Sequence, residues 1–167
     1  CGVGIVLLIS LFCYLLKHRM RLSNLLAGIV IALYGSVMLQ LTLICRESGS
    51  RIGIELDLFH GLIGPDNDFR WLMLAYVVLN CMLFIPYGFA LSLFSGINER
   101  KAGMQCVLVL LISLATSLLI ETTQLITERG YYEVQDLFVN TMGGVIGWCV
   151  FRLIYMLGEI MLRKREE

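Results

Sequence analysis

Two carboxylates interrupt sequence that is otherwise strongly apolar. Glu121 lies near the end of one long hydrophobic run, and Asp136 lies at the start of the next. A carboxylate in or beside a lipid bilayer is costly to bury, and such residues usually face a partner, a cavity or a substrate path. Carboxylates in this position would suit proton transfer, cation binding or recognition of a polar head group.

Other polar and small residues share helical faces with these carboxylates. The first hydrophobic run carries a stripe of Ser113, Ser117, Glu121 and Gln124. The second carries a stripe of Asp136, Asn140, Gly143 and Gly147. Arg129 lies in the short connection between the two runs. Antiparallel neighbours joined in this way should bring both stripes to one level, and we expect a single polar site there that includes Asn80.

A structural interpretation competes with this functional one. Polar side chains on facing helices can be interhelical hydrogen bonds alone, and Gly143 and Gly147 have the spacing that lets two helix backbones approach closely. Pro86 removes a backbone donor and should bend the third hydrophobic run, with Gly88 beside it. Serine, threonine and asparagine would suffice for packing at a lower desolvation cost, so the carboxylates favour a functional site.

Composition sets the class of protein. The chain has 167 residues, of which 58% are hydrophobic and 16% charged, and its mean hydropathy is +0.81. These values indicate an integral membrane protein, and the net charge of +0 argues against nucleic-acid binding. The only histidines, His18 and His60, lie in loops predicted on opposite sides, and the cysteines are scattered singly. We therefore expect no metal site and no cofactor.

The hydrophobic runs predict an all-α bundle of about five transmembrane helices, since a spanning helix needs roughly 20 apolar residues. The predicted spans are Gly2–Leu16, Leu22–Ile44, Trp71–Phe94, Gln105–Ile126 and Leu137–Leu157. We divide the chain into an additional N-terminal span with a basic loop (1–21), a main membrane domain (22–158) and a basic cytoplasmic tail (159–167).

Basic residues predict the orientation, because lysine and arginine in short loops concentrate on the cytoplasmic side. Alternating connections carry Lys17, Arg19, Arg21, Arg100, Lys101, Arg163, Lys164 and Arg165. The N-terminus should then be outside and the C-terminus inside. The long outer loop from Arg46 to Arg70 alternates apolar and other residues around Ile52 and Ile54, which fits either a strand or an irregular loop. Phe59 and its neighbours suit a short interfacial helix.

Three motifs resemble those of VanZ-like membrane proteins. The segment from Asn80 to Phe89 resembles the pattern NxLLFxPFGF, and Ile120 to Gln124 resembles IExxQ. Arg129 with the segment from Asp136 to Gly147 resembles R…DDxxxNTxGxxxG. The chain departs from the last pattern because Gln135 stands where the family often has an acid, which puts in doubt any role that needs two adjacent acids.

The resemblance implies a multi-pass envelope protein of Gram-positive bacteria that lowers sensitivity to teicoplanin-type lipoglycopeptides. The favoured mechanism is binding or modifying an amphiphile at the outer leaflet. Its partners would be membrane lipids together with a lipoglycopeptide or a lipid-linked cell-wall precursor. The alternatives are a membrane enzyme acting on a lipid-linked substrate with Glu121 or Asp136 as base, a small transporter or flippase, and a structural partner of a larger complex.

Overall fold

The computed structural model describes residues 22–47, 49, 51–58 and 67–166. The first predicted span, Gly2–Leu16, and the predicted interfacial helix near Phe59 lie outside these residues. The described elements are α1 (Leu22–Leu39), a π-helical turn (Gln40–Ile44), β1 (Arg51–Glu55), α2 (Asn67–Ser92), α3 (Ser95–Asn98), α4 (Ala102–Ile126), β2 (Arg129–Glu133) and α5 (Val134–Glu166).

Four helices of the described chain are long and apolar enough to cross a membrane. The candidate spans are Asn24–Ile44, Arg70–Ser92, Ala102–Ile126 and Val134–Leu162. This confirms the predicted all-α membrane bundle. The last helix is longer than predicted, because it begins directly after β2 and continues to Glu166. Its final residues are mostly arginine, lysine and glutamate, which are good helix formers.

Glycines let the backbones of α2 and α5 approach each other closely. A Cβ atom at Gly143 would collide with the Cys81 carbonyl oxygen, and one at Gly147 with the Ile85 carbonyl oxygen. From the other side, a Cβ atom at Gly88 would collide with the Gly144 carbonyl oxygen. Close backbone approach of this kind is how membrane helices gain packing without a hydrophobic driving force. We call this contact the glycine seam.

The other helices pack around α2 at a small apolar core. Met38 of α1, Phe84 and Tyr87 of α2, and Val109 and Ile120 of α4 are buried there. Pro86 lies inside α2, which continues through it. The Tyr34 hydroxyl donates to the Leu83 carbonyl oxygen at 2.7 Å, close to the point where proline withdraws a helical donor.

Two short parallel strands close one end of the bundle. Arg51 pairs with Arg129, and the register continues to Glu55 with Glu133. The alternation around Ile54 therefore belongs to a strand, and the connection after α4 contains its partner. We call the end that carries β1 and β2 the sheet end, and the end that carries α3 the far end.

Candidate functional site

A small polar cleft opens at the sheet end between α2, β2 and the start of α5. Its volume is about 50 Å³, and its lining residues are Arg46, Met73, Tyr76, Asn80, Glu133, Gln135 and Asp136. Each lining segment is positioned by a helix end or a strand: Arg46 follows the π-helical turn, Glu133 ends β2, and Gln135 and Asp136 lie in the first turn of α5.

Asp136 is one of two acidic residues that line the cleft. It lies in the first turn of α5, where the helix dipole favours negative charge. The Asn80 side chain on α2 hydrogen-bonds the Asp136 carboxylate, and the Arg46 guanidinium is close enough to interact with it electrostatically. Asn80 and Asp136, predicted from separate motifs, therefore form one contact across the α2–α5 interface.

Glu121 lies behind the cleft wall and is only 2% exposed. One of its oxygens, Oε2, accepts a hydrogen bond of 3.1 Å from the backbone N–H of Glu133. Asp136, Glu133 and Arg46 all act on it electrostatically. The carboxylate of Glu121 thus connects the end of α4 to the point where β2 becomes α5. Arg46 acts electrostatically on both Glu121 and Asp136.

Gln124 and Arg129 contact the end of α1 instead of the cleft lining. Gln124 Nε2 donates to the Thr42 carbonyl oxygen at 3.0 Å, and Arg129 Nη1 donates to the Leu43 carbonyl oxygen at 2.7 Å. Carbonyl groups in the last turn of a helix lack intrahelical partners and need others when buried. These two side chains cap the π-helical turn and so fix the backbone that leads to Arg46.

A glycine makes room for the arginine of the cleft. A Cβ atom at Gly130 would lie 2.8 Å from Arg46 Nη1 and 3.3 Å from Gln124 Oε1. A larger residue at Gly130 would therefore displace the guanidinium or the glutamine that caps α1. Gly130 thus leaves the space that the Arg46 guanidinium occupies at the site.

Asn140 lies one helical turn deeper than Asp136. Its Nδ2 donates to Ser117 Oγ at 2.9 Å across the α4–α5 interface. Among the described residues, Ser113 Oγ, Asn140 Oδ1 and Gln135 Oε1 are buried atoms without a hydrogen-bond partner. The buried polar stripe predicted on α4 is confirmed in its helical phase, since Ser113, Ser117, Glu121 and Gln124 are all buried.

The predicted cluster therefore divides into three parts. Asn80, Glu121 and Asp136 come together around the cleft, Gln124 and Arg129 hold α1, and Asn140 bonds within the bundle. Sequence reasoning missed Arg46 and did not assign Gln135 to the site. Gln135 could have been noticed from its position between two acids, whereas Arg46 lies in a long connection whose course only the fold reveals. Gly88, Gly143 and Gly147 pack at the α2–α5 interface, whereas Pro86 lies inside α2 at an exposed position.

The cleft offers binding groups of both signs and carboxyl groups that could exchange protons. Within the described residues, no group of three or more histidine, cysteine, aspartate or glutamate residues is arranged to hold a metal ion. The arrangement can therefore hold a small polar or charged group at the end of a membrane helix bundle through carboxylate, amide and guanidinium contacts.

The model of the VanZ/LLP1 family matches residues 5–155 of the chain. The match begins inside the first predicted span and includes every site residue described above, and it confirms the resemblance that the three motifs indicated. No curated protein and no solved structure matches the chain significantly.

Proposed function

The chain belongs to the VanZ/LLP1 family, and from this premise we propose that it binds the head group of an amphiphile at the outer leaflet of the cell membrane. Binding in the cleft would lower sensitivity to teicoplanin-type lipoglycopeptides. The observation that supports this proposal is the cleft itself, where Asp136, Asn80 and Arg46 line an opening at one end of a bundle whose surface is otherwise largely apolar.

The proposal requires the sheet end to face outwards. The basic residues of the sequence support this orientation, because they concentrate in the segments that would then lie in the cytoplasm. Cysteines introduced at Asp57, near β1, and at Glu99, after α3, test it in a background without the native cysteines. Both positions are exposed. An impermeant thiol reagent added to intact cells should label Asp57→Cys and not Glu99→Cys, and the opposite pattern would reverse the orientation.

Charge removal tests the site itself. Glu121→Gln and Asp136→Asn keep the size of each side chain and most of its hydrogen bonds. The helix bundle should survive either change, because an interhelical hydrogen bond in a membrane is worth only about 0.6 kcal/mol on average. We expect both variants to reach normal membrane abundance in a teicoplanin-sensitive Gram-positive host while losing any increase in the minimum inhibitory concentration that the wild-type chain confers.

The matched control is Glu159→Gln, the same chemical change at an exposed position towards the far end of α5. This control should remain as protective as the wild type. A wild-type chain that gives no protection would remove the antibiotic link. Site variants as protective as the wild type at equal abundance would leave the carboxylates with a packing role only.

A membrane enzyme acting on a lipid-linked envelope substrate is the second candidate. The proximity of Glu121 and Asp136 favours it, because two carboxyl groups in one site are common general acid–base pairs. If the chain is an enzyme, Glu121→Gln should retain amphiphile binding but abolish conversion of the lipid-linked substrate in membranes. Mass spectrometry of extracted lipids measures this conversion. Unchanged lipid species in cells with and without the chain would favour binding alone.

A further inference from the structure

We infer that the group which enters the cleft is a primary ammonium, carried by the head group of an aminophospholipid. This inference rests on the proposed function, since it names the chemical class of the amphiphile that the cleft binds. Three observations carry it: an acceptor without a partner in the cleft wall, the size of the opening, and the excess of carboxyl groups over guanidinium groups around it.

The acceptor is Gln135 Oε1. Gln135 is 7% exposed, and this oxygen has no hydrogen-bond partner within the described chain. The same residue lines the cleft beside Glu133 and Asp136. A buried acceptor without a partner is destabilising, and native proteins usually satisfy such atoms. Rotation of the Gln135 side chain would bring this oxygen to a hydrogen-bond donor that enters the cleft.

The opening limits what that donor can be. A cavity must offer roughly 10–15 Å³ to hold one water-sized group, so a cleft of about 50 Å³ admits only a few such groups. An ammonium on a short stem fits within this volume. A sugar ring or the body of a glycopeptide does not, and such parts of a ligand would have to remain outside the cleft.

The charges determine the sign of the ligand. Among the described residues that line the cleft, Glu133 and Asp136 carry carboxyl groups and Arg46 carries a guanidinium. An anionic head group would meet more carboxyl groups than guanidinium groups. A primary ammonium offers three N–H donors and no acceptor, and these can reach acceptors of the kind that Gln135 and Asp136 present. A quaternary ammonium has the same charge but no N–H group.

Binding of three phospholipids with identical acyl chains tests the inference on the purified full-length chain in detergent. Native mass spectrometry can measure the affinities for phosphatidylethanolamine, phosphatidylcholine and phosphatidylglycerol, which carry a primary ammonium, a quaternary ammonium and an uncharged polyol on an anionic phosphate. We expect phosphatidylethanolamine to bind at least about tenfold more tightly than the other two, because a hydrogen bond to a charged group is worth that much or more.

Two substitutions assign the preference to the cleft. Gln135→Leu should reduce the affinity for phosphatidylethanolamine about tenfold and leave phosphatidylcholine unchanged, whereas Gln135→Glu keeps an acceptor and should retain the preference. Arg46→Gln removes a positive charge and should strengthen binding of phosphatidylethanolamine. A site for a phosphate or another anion would respond to Arg46→Gln with a loss of affinity.

The outcomes separate this inference from the proposed function. Equal binding of phosphatidylethanolamine and phosphatidylcholine, or a preference for phosphatidylglycerol that Arg46→Gln abolishes, would overturn the ammonium assignment while binding of an amphiphile stands. If none of the three lipids binds, or if Asp136→Asn and Gln135→Leu change no affinity, both the inference and the lipid-binding role of the cleft are wrong.

Discussion

The two ends of the bundle each bury a glutamine, but they satisfy it differently. At the far end, Gln105 of α4 is 1% exposed; its Nε2 donates to the carbonyl oxygens of Asn98 and Arg100, and its Oε1 accepts from Trp148 Nε1. At the sheet end, Gln135 Oε1 has no partner within the described chain. Burial of a polar side chain therefore does not by itself distinguish a structural role from a functional one.

Whether the buried polar atoms have hydrogen-bond partners distinguishes the structural role from the functional one. The far end is built of closed pairs: Asn24 both donates to Ser95 Oγ and accepts from the Ser95 backbone N–H, each at 2.8 Å. These bonds join α1 to the turn after α2. At the sheet end, some polar groups close equally well, as Gln124 and Arg129 do on the end of α1. What sets the sheet end apart is the cleft, which Glu133, Asp136 and the buried Gln135 line.

Both ends of the bundle depend on the packing of α2 against α5 at the glycine seam. Disrupting this packing should therefore have the largest effect. A Cβ atom at Gly88 would collide with the Gly144 carbonyl oxygen, and a backbone atom cannot move aside as a flexible side chain can. Gly88→Val should therefore prevent accumulation of folded protein. Overpacking costs about 1–3 kcal/mol even in cores that relax.

Gly28→Val is the matched control, because nothing lies within 4 Å of a Cβ atom at Gly28. Membrane abundance and size-exclusion profiles of fluorescent fusions measure both variants, and the control should match the wild type. A monodisperse Gly88→Val protein at normal abundance would show that α2 and α5 can separate without loss of the fold.

Replacing each of the two glutamines by leucine tests the comparison between the two ends directly. Gln105→Leu removes three hydrogen bonds, each worth about 0.6 kcal/mol in a membrane, so it should lower the free energy of unfolding by about 2 kcal/mol. Gln135→Leu removes an unpartnered acceptor and should cost less than about 1 kcal/mol. Titration with sodium dodecyl sulfate in mixed micelles, followed by circular dichroism, gives both values. The reverse order would mean that Gln135 is structural.

Sequence was sufficient to predict the four spanning helices that the structure describes and the phase of the polar stripe on α4. A membrane helix needs a long apolar run, and a helical face repeats every three to four residues, so the buried positions Ser113, Ser117, Glu121 and Gln124 follow from spacing alone. The spacing of Gly143 and Gly147 also predicted a close approach of another helix, but only the structure identifies that helix as α2.

The partners of the polar residues could not be predicted in the same way. Arg46 reaches the cleft because the π-helical turn, the strand pair and Gly130 direct it there, and each of these depends on contacts between distant segments. Gln124 and Arg129 share motifs with Glu121 and Asp136, yet their hydrogen bonds go to carbonyl groups of the π-helical turn that follows α1. Helical phase predicts which face a residue occupies, and the neighbouring element decides which atom it meets.

The smallest expected effect concerns Ser113 and Ser117 of α4, two buried serines that differ in their hydrogen bonding. Ser117 Oγ accepts from Asn140 Nδ2, whereas Ser113 Oγ has no partner in the described chain although both serines are fully buried. Ser117→Ala should therefore cost about 0.6 kcal/mol. Ser113→Ala should be neutral or slightly stabilising, because it removes a buried hydroxyl that gains nothing from the protein. The same micelle titration measures both changes.

A double-mutant cycle with Asn140→Ala assigns the difference to the hydrogen bond, since each cycle isolates the interaction between the two altered side chains. The pair of Ser117 and Asn140 should show a coupling of about 0.6 kcal/mol, and the pair of Ser113 and Asn140 should show none. Equal coupling of both serines would place a buried water between Ser113 Oγ and Asn140 Oδ1. A hydrated polar region would then extend from the cleft into the membrane interior, and the contrast between the two ends would no longer be confined to the cleft.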